Sequence, residues 1–111
     1  IKYIYKHTLE VQILNIMEIQ IHTVHFKADQ DLMTFVHEKL EKLNLFHQHI
    51  TSSEVFLKVE KDEDHANKFV EIKLHVPGKE LFVKKNCPSF EEATNEAIDA
   101  LKKQLIKDKE K

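Results

Sequence analysis

The stretch Val70–Lys107, VEIKLHVPGKELFVKKNCPSFEEATNEAIDALKKQLIK, decides the fold. Val70, Ile72, Leu74 and Val76 alternate with Glu71, Lys73 and His75, the two-residue period of a strand with one buried face. Pro77-Gly78 interrupts the run, and Leu81 and Val83 resume it, so the two runs read as a β-hairpin. Ser89 then stands three residues before Glu92, the spacing of a capping box, where the hydroxyl satisfies a free N–H in the first helical turn. Behind it Phe90, Ala93, Ala97, Ile98, Leu101 and Leu105 recur at helical steps. This helix begins acidic and ends basic, which suits its dipole and puts a lysine cluster at one end of the domain.

Outward from the hairpin, Val55, Leu57 and Val59 mark a preceding strand, and Lys61 to Asn67 is a charged connection. Asp29 has the chemistry of a helix N-cap. Leu32, Phe35, Val36, Leu40, Leu43 and Phe46 follow at three- and four-residue steps, an amphipathic helix to about Leu45. Glu18–Phe26 (EIQIHTVHF) is the first strand, with Ile19 and Ile21 on one face. The order is β-α-β-β-β-α, an α+β fold. Each helix has one apolar stripe, so the economical arrangement is a four-stranded sheet with both helices on one face. The crossover between the first two strands is expected to be right-handed.

Met17 precedes the first clean strand pattern. Residues 1–16 read as an upstream leader or mis-assigned start that need not be ordered, with residues 17–111 as the domain. Ile4, Leu9, Val11, Ile13 and Ile16 are also compatible with an extra strand.

At 111 residues, with 41% hydrophobic and 32% charged residues, the chain supports one core under a heavily charged surface. One glycine excludes glycine-rich phosphate loops. The single cysteine, Cys87, excludes an intrachain disulfide and favours a reducing, cytoplasmic setting. No apolar run approaches the ~20 residues of a membrane span. A net charge of −2 is not the bulk signature of a nucleic-acid binder, but the charge is segregated. Glu60 to Asp64 holds four acids and one lysine, and Lys102 to Lys111 holds five lysines and two acids.

Candidate functional residues follow from this segregation. Lys103 and Lys107 lie about 40° apart on a helical wheel, opposite the buried stripe, where their ammonium groups could meet successive phosphates. A solvated basic helix end explains the same lysines more simply. Lys39 falls within the arc of Leu32, Phe35 and Val36, so it snorkels past the core edge or meets an anion, and Lys42 sits on the rim of that arc. If both emerge near the second helix, they extend one basic ridge. On the sheet, Phe56, Lys58, Phe82 and Lys84 are expected to point away from the helices with Lys73 and His75. Such aromatics and lysines can stack bases and hold phosphates, or can simply cover one another. The eight histidines form no ligand spacing for zinc, so no metal and no cofactor is expected. Cys87 precedes Pro88 without a histidine base in its sequence context, and no carboxylates form a catalytic motif, so no enzyme is expected.

Taken in order, EKLEKL (Glu38–Leu43), EVFLKVEK (Glu54–Lys61), VEIKLHVPGKEL (Val70–Leu81) and SFEEATNEAIDALKKQLIKDKEK (Ser89–Lys111) resemble the ribosome hibernation promoting factor family, also known as ribosome-associated inhibitor or sigma-54 modulation proteins. The resemblance runs from about Met17 to the end. It implies a β-α-β-β-β-α fold similar to double-stranded RNA-binding domains. It also implies binding to the small ribosomal subunit near the mRNA channel and tRNA sites, in starvation or stationary phase, with a block on translation. By resemblance the contacts to ribosomal RNA come from Lys39, Lys42, Lys103 and Lys107, and more weakly from Lys84 and Lys85. No small-molecule substrate or membrane is implied, and the protein is expected to be monomeric off the ribosome. Likeness to the family's short form argues against self-driven pairing of ribosomes. The competing expectation is a protein-binding modulator of the sigma-factor type, acting through the open sheet face.

Overall fold

The computed structural model describes residues 2–5, 17–45, 49–60 and 67–109. Strand β1 spans Lys2–Tyr5 and β2 spans Glu18–Val24; helix α1 spans Gln30–Glu41 and passes into a 3-10 turn at Lys42–Leu45. Strands β3 (Ser52–Val59), β4 (Lys68–Val76) and β5 (Lys79–Cys87) follow, and α2 spans Phe90–Lys109. The expected β-α-β-β-β-α order is present from β2 onward. The sheet order is β1-β2-β3-β4-β5, with β2 parallel to β3 and every other pair antiparallel. A parallel neighbour requires a crossover connection, and α1 supplies it.

Outside the four expected strands, Lys2–Tyr5 pairs antiparallel with β2, Tyr3 opposite Ile21. The sheet therefore has a fifth, edge strand beside β2. Backbone pairing on that side covers N–H and C=O groups that β2 would otherwise leave unpaired. Residues 6–16, Phe46 of the expected α1 stripe, and most of the acidic Glu60–Asp64 loop lie outside the described residues. The base of that loop is closed by the Glu60 N–H donating to the Asn67 carbonyl at 3.0 Å.

Local chemistry sets the ends of the elements. Asp29 caps α1, its carboxylate accepting from the Leu32 N–H at 2.9 Å. Ser89 caps α2 in a modified box: its Oγ accepts from the Glu92 N–H at 3.2 Å and donates to Glu92 Oε2 at 3.0 Å. Gly78 has φ +84°, a left-handed conformation that glycine adopts without a Cβ penalty, and Pro77 before it fixes the first turn residue, so the hairpin closes in two residues. His25, just past β2, has φ +67° and ends the strand two residues before the sequence pattern does.

Both helices pack on one face of the sheet. Ile19, Ile21, Val55, Leu57, Val70, Ile72, Leu74 and Leu81 face them and meet Met33, Val36, Leu40, Ala93, Ala97, Leu101 and Leu105, all buried. Phe26 stacks on Phe90 with ring centroids 4.8 Å apart and joins the start of α1 to the start of α2.

Candidate nucleic-acid interface

The two helices run the same way across the sheet. The first turn of α2, at Glu91, shares a groove with Asp29, Asp31, Leu32 and Phe35 at the start of α1. Further along, Lys39 and Lys42 share a second groove with Asn95, Ile98, Asp99 and Lys102. Acidic side chains stand at the shared start of the helices, where the dipoles favour them, and the second groove joins the C-terminal end of α1 to the middle of α2.

The second groove holds about 420 Å³ and has three lysines on its walls. On α1 the flank turned to α2 runs Leu32, Phe35, Lys39, Lys42. This explains a lysine inside an apolar arc. Lys39 is half-buried, its Nζ lies 5.4 Å from the centroid of the Phe35 ring, and its head reaches the groove. On α2 the facing flank runs Glu91, Asn95, Ile98 and Lys102, with Asp99 at its outer rim. Lys102 Nζ is 3.9 Å from Asp99 Oδ1.

The structure therefore brings Lys39 and Lys42 together with Lys102, which sequence reasoning did not single out. Lys103 and Lys107 are exposed but lie about 100° and 140° further round α2 than Lys102, on the flank that carries Glu96 toward β5. The expected single ridge is thus two adjacent basic surfaces at one end of the helix pair. Asn95, Asp99 and Lys102 are spaced four and seven residues apart, and that spacing is the sequence signal for the groove once the flank facing α1 is known.

Lys84 and Lys85 are consecutive on β5 and face opposite sides of the sheet. Lys85 is half-buried on the helix side. Lys84 is on the outer side, 5.5 Å from the Phe69 ring centroid and 3.9 Å from Glu71 Oε2. Phe56, Lys58, Lys73, His75, Phe82 and Lys84 share that outer face, as their alternation predicts. Its charges are largely satisfied internally. Lys58 lies 2.9 Å from the same Glu71 oxygen, His22 lies 2.9 Å from Glu54, and His75 lies 3.5 Å from Glu80. His22 stacks on Phe56 at 4.8 Å, and Lys73 sits 5.8 Å from that ring. Among the described residues Phe82 is the exposed aromatic of this face, at 47%. Lys58 and Lys84 share the one Glu71 carboxylate, and a lysine already so paired offers less to a phosphate.

Cys87 is buried, and its Sγ donates to Glu96 Oε2 at 3.3 Å. Burial, the hydrogen bond to Glu96 and the charges of Glu96 and Glu92 raise its pKa to about 11, against a smaller opposing effect of Lys85. The thiol is held protonated at neutral pH, the reverse of what a nucleophile needs.

Comparison with known proteins bears on this geometry. The family model described as sigma 54 modulation protein / S30EA ribosomal protein matches residues 19–111. A Pseudomonas putida protein named ribosome hibernation promoting factor is 33% identical over 95 residues, spanning 86% of this chain and 89% of that protein. A ribosomal subunit interface protein from Coxiella burnetii superposes with a TM-score of 0.75 at 18% identity, over 84% of this chain and 98% of the other. The N-terminal domain of Thermus thermophilus Protein Y gives 0.68 at 18% identity, over 78% and 93%. At that identity the two structures establish the shared fold.

Proposed function

Because the chain belongs to the sigma 54 modulation protein / S30EA ribosomal protein family, we propose that it is a ribosome hibernation factor. On this reading it binds the small ribosomal subunit near the mRNA channel and tRNA sites and blocks translation in starvation or stationary phase. It acts in the bacterial cytoplasm, as a monomer off the ribosome, and performs no catalysis. The observation that carries the proposal is the groove where Lys39, Lys42 and Lys102 converge between the helices. Three ammonium groups on rigid helices can hold the phosphates of ribosomal RNA at fixed spacing. Lys103 and Lys107 extend the contact along the neighbouring flank of α2. Lys85, on the helix side of β5, and Lys84, on the outer side, belong to different surfaces and add at most peripheral contacts. The low net charge of the chain fits this reading, because the lysines of the C-terminal helix ends are offset by acids elsewhere, including Asp29, Asp31 and Glu91 at the opposite end.

Sedimentation of the purified protein with ribosomes through sucrose tests this reading. The protein is expected to travel with the small subunit, and its affinity to fall with salt. Three neutralised phosphates give a log–log slope of about −2 to −3. Exposed Phe82, among self-paired charges, favours the second reading, a protein partner on the outer sheet face. That reading predicts no salt-sensitive travel with ribosomes.

A further inference from the structure

We propose that Asp99 makes the lysine groove selective for RNA by accepting a hydrogen bond from a ribose 2′-hydroxyl. This inference rests on the reading that the groove binds an RNA backbone. Its starting point is a carboxylate where charge complementarity to phosphate would place none: Asp99 lines the groove with Lys39, Lys42 and Lys102. Its side chain is 71% exposed and 3.9 Å from Lys102 Nζ, the geometry of a loose, exposed pair three residues apart on a helix. Pairs of this kind add little to helix stability, so the fold does not require the residue.

For a polyanion, a carboxylate between lysines is unfavourable unless the ligand also brings a donor. The deoxyribose–phosphate backbone has none. RNA has one 2′-hydroxyl per nucleotide, and this group is how a site distinguishes the two polymers. An ionised carboxylate only accepts, and a hydroxyl donating to it forms a short, charge-assisted hydrogen bond. The neighbouring lysines hold the flanking phosphates on either side of the sugar. Asn95, four residues earlier and lining the same groove, carries both a donor and an acceptor and can take a phosphate oxygen or the hydroxyl oxygen. Ile98 adds an apolar wall for the carbon face of the ribose.

The test is fluorescence anisotropy of the full chain with three probes of one sequence: single-stranded RNA, its 2′-O-methyl counterpart and DNA. The 2′-O-methyl probe keeps every charge and removes the donor. The native chain is expected to bind RNA roughly tenfold more tightly than the 2′-O-methyl probe, the effect of one hydrogen bond to a charged group. Asp99→Ala should erase that ratio and also tighten binding of the 2′-O-methyl and DNA probes, because the repulsion has gone. Asp99→Asn, which keeps an acceptor without the charge, should retain part of the preference. Equal binding of RNA and 2′-O-methyl RNA by the native chain overturns the inference and leaves the lysine groove standing. So does a preference that survives in Asp99→Ala. Failure of all three probes to bind at low salt overturns the reading of the groove itself, and the inference with it.

Discussion

Exchange of Lys39, Lys42 and Lys102 for glutamate together is expected to abolish travel with the small ribosomal subunit at physiological salt while the domain stays folded. Each exchange removes one phosphate contact and adds a repulsion at the same point. The loss of three contacts alone flattens the salt dependence by about 2 log–log units. The folded state tolerates the change because none of the three is fully buried. Lys39 gives up its position over Phe35, worth about 0.5–1 kcal/mol, and the new acids at positions 39 and 42, at the C-terminal end of α1, each cost about 0.3–1 kcal/mol. Those sums lie below the ~5–15 kcal/mol stability of a typical domain. Exchange of Lys103 and Lys107 on the adjacent flank should weaken binding without abolishing it. A triple variant with native circular dichroism that still travels with the subunit at physiological salt would remove the groove from the account.

The second large effect concerns the platform. Leu101→Ala is expected to cost about 2–5 kcal/mol, the range for a buried leucine truncated in a packed core. Leu101 is fully buried in the α2 stripe, among residues facing β4 and β5. Its neighbour Lys102 forms part of the groove wall, so the side chain that anchors the helix also fixes the lysine. Leu45→Ala is the control. Leu45 is 80% exposed at the end of the 3-10 turn and should change stability by no more than about 0.5 kcal/mol. Urea titration reads both, the buried variant showing a lower midpoint with an unchanged slope. A midpoint for Leu101→Ala equal to that of Leu45→Ala would contradict the packing described here.

The contrast between these residues shows what the sequence makes legible. Leu101 is readable because a helical stripe reports burial with no knowledge of the partner. The caps at Asp29 and Ser89 and the Pro77-Gly78 turn are readable for the same reason, since each is settled within a few residues. Lys102 is not readable in that way. It becomes a groove residue only because α1 and α2 lie side by side in the same direction, and the wheel of an isolated helix does not say which polar flank another helix will face. Lys103 and Lys107 stand out in sequence because they are farther from the stripe, yet that is what keeps them off the α1 side. The hairpin hides a related ambiguity. Lys84-Lys85-Asn86 breaks the alternation that marks Leu81 and Val83, so the sequence pattern stops there, although Lys85 and Cys87 continue the inward register to the start of α2. Strand β1 depends on pairing with β2 across a long sequence interval, and weakly alternating segments such as IKYIY do not announce their partners.

The central claim is that the seam between the helices, and not the outer sheet face, meets ribosomal RNA. Lysine footprinting tests it directly: acetylation of each lysine is measured by mass spectrometry with the protein free and bound to the small subunit. Lys39, Lys42 and Lys102 are expected to lose reactivity on binding, with smaller losses at Lys103 and Lys107, while Lys58, Lys73 and Lys84 keep the reactivity they have in the free protein. Protection of Lys58, Lys73 and Lys84 with no change at Lys39, Lys42 and Lys102 would contradict the account.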